Sequence, residues 1–297
     1  MTLAFHGRVA IVTGAGGGLG RQHALALAAR GAKVVVNDLS PEAVNRVADE
    51  ITQAGGEALG LACSVTDAPA VAAMVQRAHE AWGRGDILVN NAGILRDKSF
   101  AKMTLDDFRL VMDVHLMGAV HCTQAVWPLM TAQKFGRIVM TTSSSGLFGN
   151  FGQANYGAAK MALVGLMQTL SIEGARHNIH VNCLAPTAAT QMTEGLLPEA
   201  MLALLKPEAV VPAMLVLAHD SAPNRTILCA GAGTFAAAHV GLSQGLHLGT
   251  GAEVPEQLAE RLAAVTSRTD ATVPESGAEQ GLNEVSQAMA AQAGTRG

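Results

Sequence analysis

Residues 8–38 read RVAIVTGAGGGLGRQHALALAARGAKVVVND, and this stretch decides the fold. Its first six residues form a β-branched run without alternation, which is typical of a strand buried on both faces. Glycines follow at once, then a helical pattern that Gly31 closes, then a second buried strand that ends at Asp38. The order of these elements is a strand, a glycine cluster, a helix, a second strand and an acidic residue. This order predicts a dinucleotide-binding βαβ unit.

The glycine loop predicts where the cofactor binds. Glycines permit a tight turn and a close backbone approach, so a pyrophosphate can rest on amide groups at the start of the helix. The spacing is GxxxGxG, and the predicted contacts are Gly14, Gly18, Leu19 and Gly20. Asp38 is predicted to accept hydrogen bonds from the adenosine ribose hydroxyls and to repel a ribose phosphate. The cofactor predicted from this unit is therefore NAD rather than NADP.

Strand-like runs recur along the chain, separated by helical patterns. The later runs are ALGLACSV (58–65), DILVNNAG (86–93), FGRIVMTT (135–142), NIHVNCLAP (178–186) and ILCAGAG (227–233). This alternation predicts an α/β fold of Rossmann type, a doubly wound parallel sheet of about seven strands with helices on both faces. Ligands bind at the strand ends of such sheets. Further cofactor contacts are therefore predicted at Ser64, Val65, Asn91, Ala92 and Gly93.

The character of the sequence changes near residue 251. Apolar residues keep helical spacing at Val254, Leu258, Leu262 and Val265. After residue 267 the chain is rich in Ala, Gln, Ser, Glu and Thr, a composition that favours a loose segment with a weak last helix at best. We predict a Rossmann domain over 1–250 and an extension over 251–297 that holds one short helix.

Composition narrows the class of protein. Charged residues make up 15% and hydrophobic residues 49%, and the formal net charge of −4 offers no basic field for nucleic acid or an anionic membrane. Four cysteines are scattered without the spacing of a zinc site or a disulfide scaffold. We expect a cytoplasmic protein with a small-molecule substrate, without nucleic-acid or membrane partners and without a metal site.

Residues 143–160, SSSGLFGNFGQANYGAAK, carry the candidate chemistry. They contain Tyr156, the only tyrosine, and Lys160, which lies one helical turn later on the same face. An ammonium beside a phenol lowers the phenol pKa from about 10 and makes it a usable acid or base. Ser143, thirteen residues upstream of Tyr156, can present a hydroxyl from a strand end. The YxxxK spacing alone favours a packed tyrosine with a snorkelling lysine, and the dinucleotide unit reverses that preference towards catalysis.

Together these motifs resemble the short-chain dehydrogenase/reductase family over about residues 6–250. The matching motifs are TGAGGGLG (13–20), NNAG (90–93), Ser143 and YGAAK (156–160). The resemblance implies that Tyr156 is the general acid/base, that Lys160 lowers its pKa and holds the nicotinamide ribose, and that Ser143 polarises the substrate oxygen. It also implies cofactor contacts at Pro186 and Thr190. Here a threonine follows Pro186 where the family has glycine, and Thr190 comes one residue early.

Three segments are similar to the hydroxyacyl-CoA dehydrogenase units of the type-two peroxisomal multifunctional enzymes. These segments are NNAGILRDKSF (90–100), GNFGQANYGAAK (149–160) and IEGARHNIHVNCLAP (172–186). The similarity implies NAD-dependent oxidation of D-3-hydroxyacyl-CoA, or of a hydroxysteroid, to the ketone. His115 stands where most of the wider family has an asparagine that anchors a relay water. An imidazole also binds water and titrates near neutrality, so His115 is predicted to join a proton relay, although a histidine on a mostly apolar helix is more often simply packed.

Two alternatives stay open. An NADPH-dependent ketoacyl reductase of fatty-acid synthesis shares the fold, but no basic residue stands at Ala15, Gly16 or Leu39 to pair with a ribose phosphate. A cofactor-binding sensor without turnover is disfavoured by the intact serine, tyrosine and lysine set. The apolar helices predicted over 105–131 and 155–174 exceed what one sheet face needs, and in this family such helices pair between subunits. We therefore expect a homodimer or homotetramer.

Overall fold

The computed structural model describes residues 2–189 and 199–294. Contacts divide the chain into two compact units, Met1–Ala238 and His239–Gly297. The division falls earlier than the expected boundary at 250, and the assignment of domains stays a prediction.

A single eight-stranded sheet forms the centre of the first unit. Its strands are β1 (Val9–Thr13), β2 (Lys33–Asp38), β3 (Glu57–Ala62), β4 (Ile87–Asn90), β5 (Gly136–Thr141), β6 (Ile179–Thr187), β7 (Ile227–Gly231) and β8 (Thr234–Ala238). The strand order is β3-β2-β1-β4-β5-β6-β7-β8, parallel except for the last pair. The predicted doubly wound α/β fold is confirmed, with eight strands among the described residues instead of about seven.

The additional strand β8 carries the sequence TFAAA, which has neither a β-branched run nor alternation. It forms because Ala232 and Gly233 both adopt positive φ, which turns the chain back into a hairpin along β7. Most of β8 is exposed, so the strand lacks the buried apolar pattern that marks the others in sequence.

Helices cover both faces of the sheet. They are α1 (Gly18–Ala28), α2 (Pro41–Gln53), α3 (Ala68–Trp82), α4 (Leu105–Met112), α5 (Gly118–Gln133), α6 (Ser144–Phe148), α7 (Ala154–Ala175), α8 (Glu199–Leu202) and α9 (Val211–Ala218). The Ser40 hydroxyl accepts from the Ala43 N–H and caps α2, and the Asp67 carboxylate accepts from the Ala70 N–H and caps α3. Serine and aspartate are residue types that favour a helix start, so both caps are recognisable in the sequence.

The sheet separates two hydrophobic clusters. Ala10, Val12, Val34 and Val36 face the cluster that includes α1, α2 and α9, while Ile11 and its neighbours face the cluster that includes α3, α5 and α7. Successive strand residues point to opposite faces. Both faces are buried, so the central strands read as continuous apolar runs, as the sequence indicates.

The long helix predicted over 105–131 is interrupted. Between α4 and α5 the residues Asp113–Met117 form a π-helical turn, in which His115 is buried. Single π turns inside α-helices are frequent at functional sites. The apolar pattern does not reveal this turn.

The second unit is helical. It contains α10 (Val254–Glu260), α11 (Leu262–Val265) and α12 (Ala278–Gly294), and a β-bridge joins Leu242 and Thr272. The last helix is thus longer than the composition indicates, and it exposes Leu282, Val285 and Met289 at helical spacing. Among the described helices of the chain, none is both long and apolar enough to cross a membrane.

His23 on α1 is a histidine buried in the core. Neither ring nitrogen has a hydrogen-bond partner among the described residues, and burial lowers the pKa of the imidazole from 6.5 to about 4. In the unfolded chain the His23 imidazole binds a proton below about pH 6.5, whereas in the folded chain it does so only below about pH 4. The free energy of unfolding therefore decreases as the pH falls through this window. The loss between pH 7 and pH 5 is about 2 kcal/mol.

Replacing His23 by leucine is expected to remove this part of the pH dependence. The free energy of unfolding of the variant, relative to that of the wild type, should be about 2 kcal/mol higher at pH 5 than at pH 7. Urea unfolding at the two pH values measures both differences. An equal difference at pH 7 and pH 5 would contradict the assignment.

Candidate active site

A cavity of about 590 Å³ lies at the carboxyl ends of the parallel strands. It borders the point where the order of strands reverses, because β1 pairs with β2 on one side and with β4 on the other. Ligands of open α/β sheets bind at this position. Its lining is Gly14, Gly16, Gly17, Gly18, Leu19, Asn37, Asp38, Leu39, Ala43, Arg46, Cys63, Ser64, Val65, Asn91, Ala92, Gly93, Ile94, Val114, His115, Thr141, Tyr156, Lys160 and Pro186.

Most of the predicted site residues meet in this cavity. The predicted cofactor residues in the lining are Gly14, Gly18, Leu19, Asp38, Ser64, Val65, Asn91, Ala92, Gly93, Tyr156, Lys160 and Pro186. Gly20 packs behind the loop and Ser143 caps a neighbouring helix, so neither is in the lining. Thr190 lies outside the described residues. The binding roles of these residues stay predictions.

The glycine loop is held against the neighbouring strand ends. Asn91 Nδ2 donates to the carbonyl oxygens of Thr13 and Gly14, both at 3.1 Å. The Thr13 hydroxyl in turn accepts from the backbone N–H groups of Asn91 and Ala92 at 3.0 and 3.1 Å. A Cβ atom added to Gly20 would lie 2.1 Å from the Gly14 oxygen, closer than any packed contact. Position 20 therefore requires glycine, because the helix start touches the loop backbone.

Asp38 and Arg46 flank the glycine loop at one end of the cavity. Asp38 Oδ2 accepts from the Gly16 N–H at 2.9 Å, and Oδ1 accepts from the Leu39 N–H at 2.7 Å. Arg46, on α2, donates from Nη2 to the Gly16 carbonyl oxygen at 2.8 Å. Sequence reasoning tested only Ala15, Gly16 and Leu39 for a basic residue and missed Arg46. Its signal was the α2 periodicity, which places Arg46 one turn after Ala43, another residue of the lining.

Tyr156 is the centre of a polar group at the other end of the cavity. Lys160 Nζ lies 5.4 Å from the centroid of the phenol ring and donates to the Thr141 carbonyl at 2.5 Å. The His115 ring meets the phenol ring edge-on, with centroids 5.2 Å apart. Ser143, the cap of α6, lies close enough to the phenol for its hydroxyl to lower the phenol pKa. The four predicted catalytic side chains are thus neighbours.

The start of α7 is anchored by residues that sequence reasoning missed. Asn155 is fully buried, its Oδ1 accepts from the Tyr156 N–H at 2.7 Å, and its Nδ2 donates to the Arg96 carbonyl at 3.1 Å. Gln153 Nε2 donates to Asp97 Oδ2 at 2.7 Å. These bonds fix the position of the phenol relative to the loop that follows β4.

The charge states of Tyr156 and Lys160 differ from the expectation. Burial raises the pKa of the Tyr156 phenol, opposed by the hydrogen bond from Ser143 and reinforced by the Asp97 charge. Burial lowers the pKa of Lys160 to about 7. A lysine that is only partly protonated at neutral pH favours the phenolate less than a full charge does. The net shift of the tyrosine pKa is upward in this environment, whereas the sequence predicts a lowering by Lys160, and the role of Lys160 stays a prediction.

His115 is neutral at physiological pH, so the expectation that it titrates near neutrality is wrong. Burial, reinforced by the Lys160 charge, lowers the pKa of the imidazole to about 3. Its Nε2 lies 3.1 Å from the Ile94 nitrogen and 2.8 Å from the Ile94 oxygen, and its Nδ1 has no partner among the described residues. A Cβ atom on Gly93 would lie 2.2 Å from His115 Cε1, which explains the glycine of the NNAG motif. The relay role of His115 stays a prediction.

Comparisons with known proteins agree with this geometry. The profile of the family described as short chain dehydrogenase matches residues 8–200. Peroxisomal multifunctional enzyme type 2 of Drosophila melanogaster is 50% identical over 255 residues, which are 83% of this chain and 41% of that protein. The chain thus spans less than half of that relative. The resemblance predicted from the motifs is confirmed by these matches.

Solved structures show the same likeness in three dimensions. The structure of the full-length Drosophila melanogaster peroxisomal multifunctional enzyme type 2 has a TM-score of 0.81 and 43% identity, covering 94% of this chain and 49% of that one. A 7α-hydroxysteroid dehydrogenase complexed with NADH and 7-oxo glycochenodeoxycholic acid has a TM-score of 0.73 and 31% identity, covering 77% of this chain and 95% of that one.

Proposed function

The chain belongs to the short-chain dehydrogenase family, and from this premise we propose that it interconverts a secondary alcohol and a ketone with NAD. The substrate we propose is a D-3-hydroxyacyl-CoA, with a hydroxysteroid as the second candidate. One observation carries the proposal: Tyr156, with Lys160, Ser143 and His115 around it, lies in the cavity whose other end is formed by the glycine loop and Asp38. Members of this family are oxidoreductases that bind a nicotinamide dinucleotide.

The residues present fit such a cofactor. Three consecutive glycines, residues 16–18, border the cavity before and at the start of α1. A Cβ added to Gly17 would meet no atom within 4 Å, so there is space beside the helix start for a phosphate. Asp38 would hold the adenosine ribose, and Tyr156 with Lys160 would hold the nicotinamide ribose. NAD supplies the acceptor for the hydride of the carbinol carbon.

Tyr156 would take the proton of the substrate hydroxyl when the carbinol carbon loses its hydride. The Ser143 hydroxyl would donate to the same substrate oxygen and hold it beside the phenol. Buried Lys160, when protonated, is a cation next to the phenol and favours the phenolate in a weakly screened environment. His115 is neutral, and its Nδ1 has no partner in the described part of the chain, so it would hold a water that carries the proton onward.

The substrate class rests on the surroundings of Tyr156. Phe148 and Phe151, on the segment between Ser143 and Tyr156, are exposed, as is Phe100 on the loop after β4. These loops are joined by the bond from the Lys98 N–H to the Gly152 oxygen at 2.9 Å. The loop after β4 also carries the basic residues Arg96, Lys98 and Lys102. Exposed apolar rings and basic residues on these two joined loops would suit an acyl chain attached to a phosphate-bearing carrier.

Purified protein should form NADH from NAD and D-3-hydroxyacyl-CoA esters, measured by absorbance over a series of chain lengths. The L-3-hydroxyacyl-CoA esters are the matched control, and hydroxysteroids test the second candidate. NADH formation from steroids alone would transfer the proposal to that class. If the protein binds NADH but forms none from any alcohol, the function that remains is that of a non-catalytic, cofactor-binding sensor.

We propose a homodimer or homotetramer formed through the apolar face shared by α4, the π turn and α7. Leu110, Met117, Met161 and Ile172 expose 40–52% of their surface there. Light scattering at micromolar concentration should give a dimer or tetramer, and Ile172→Asp should shift the mass towards the monomer, because a charge would be buried without a partner. A monomeric wild type would contradict the proposal.

A cytoplasmic location also stays a proposal, since the relative compared above is named as peroxisomal.

A further inference from the structure

Arg46 brings a positive charge to the end of the cavity where Asp38 lies. It is eight residues after Asp38 in the sequence and reaches back across α2, so that its guanidinium meets the Gly16 carbonyl oxygen at 2.8 Å. Asp38 meets the N–H of the same glycine at 2.9 Å. The Asp38 carboxylate thus binds the backbone N–H of Gly16, and the Arg46 guanidinium binds the carbonyl oxygen of the same residue.

The two charges differ in how far their hydrogen-bonding capacity is used. Each Asp38 oxygen already accepts one backbone N–H, which holds the carboxylate in place. Arg46 has five N–H donors and uses one of its nitrogens on Gly16. Among the described residues, no carboxylate lies within the 4.0 Å ion-pair distance of Arg46. Its remaining donors are therefore available to an anion in the cavity that Arg46 lines.

The distance between these groups is set by close packing. A Cβ atom added to Gly16 would lie 2.8 Å from Ala43 Cβ and 2.9 Å from Asp38 Oδ2. The glycine loop thus lies directly against the first turns of α2, the helix that carries Arg46. A ligand group next to Asp38 at this end of the cavity is also next to the guanidinium.

We propose that Arg46 is a second determinant of dinucleotide selection, a phosphate-binding cation whose effect Asp38 suppresses. The inference rests on the proposed function in one respect, that a dinucleotide binds with its adenosine ribose beside Asp38. A ribose phosphate there is repelled by the Asp38 carboxylate and attracted by Arg46, whose planar fork suits phosphate oxygens. Removing the carboxylate therefore leaves a cationic site, not a neutral one, and the preference for NADH over NADPH should invert.

A double-mutant cycle on Asp38→Ser and Arg46→Met tests this, with the affinities for NADH and NADPH read from cofactor fluorescence. Asp38→Ser should bind NADPH at least about tenfold more tightly than the wild type does. Adding Arg46→Met should remove most of that gain. Arg46→Met alone should weaken NADPH binding more than NADH binding, because only NADPH carries the ribose phosphate. Arg46→Lys in the Asp38→Ser background should keep part of the gain, because it retains the charge without the fork.

The control is Arg77→Met in the Asp38→Ser background. Arg77 is an exposed arginine of α3 that pairs with Glu80, so its removal changes the net charge equally without touching the cavity. If Asp38→Ser and the double variant with Arg46→Met bind NADPH equally tightly, the inference is overturned. An equal loss for NADH and NADPH in Arg46→Met also overturns it, because Arg46 would then only hold the loop. A wild type that binds no NADH overturns the proposed function as well; these readings need no turnover.

Discussion

Tyr156→Phe is expected to lower kcat for alcohol oxidation by about 10²- to 10⁴-fold while the protein still binds NADH. The substitution removes only the hydroxyl, so the ring that packs edge-on against His115 stays in place. What is lost is the group that takes the substrate proton, and no other phenol exists in the chain to replace it. The measurement is kcat from NADH formation, with NADH affinity from fluorescence as the control for folding.

The same experiment separates the role of Lys160 from that of Tyr156. If Lys160 acts on proton transfer through the phenol, Lys160→Met should lower kcat in the wild type but add little in the Tyr156→Phe background. Additive losses in the double variant would contradict this coupling. Near-wild-type kcat in Tyr156→Phe would remove Tyr156 from the mechanism altogether.

The pH dependence of the wild type gives a further readout of Tyr156. The phenolate is the form that accepts a proton, and burial raises the pKa of this phenol. The rate of alcohol oxidation should therefore rise with pH towards and beyond the ordinary tyrosine range. Tyr156→Phe should lose this alkaline limb, and the ultraviolet titration of the single tyrosine reports the same group directly.

Gly20→Ala is expected to have the second largest effect, a loss of at least about 3 kcal/mol of stability together with NADH binding. The added Cβ would lie 2.1 Å from the Gly14 oxygen and 2.6 Å from Asn91 Nδ2. The Gly14 oxygen belongs to the backbone and cannot rotate away. Relief of the clash must move the glycine loop away from β4 and break the bonds from Asn91 that hold it.

Gly17→Ala is the matched control in the same loop. Gly17 has an extended backbone, with φ of −167°, and an added Cβ would meet no atom within 4 Å. Its stability should stay within about 0.5 kcal/mol of the wild type. Urea unfolding measures both variants, and fluorescence measures NADH binding by Gly20→Ala. Equal stability of the two variants would show that the contact between Gly20 and Gly14 does not constrain the loop.

The chain order of strands and helices was readable from the sequence because it depends on residues close together in the chain. Continuous apolar runs marked the strands, and Ser40 and Asp67 marked helix starts, since a cap bonds an amide three residues later. The GxxxGxG spacing and the single turn between Tyr156 and Lys160 are likewise local. Each of these features needs only the geometry of one turn or one strand.

Other features were decided by contacts between residues far apart in the chain. His115 is neutral because the fold buries it against Gly93 and Ile94. Burial likewise raises the Tyr156 pKa and lowers that of Lys160, and Arg46 meets Gly16 across two elements. A residue type states which charge is possible, whereas desolvation and close approach, which only tertiary packing sets, decide which charge is present and what it faces.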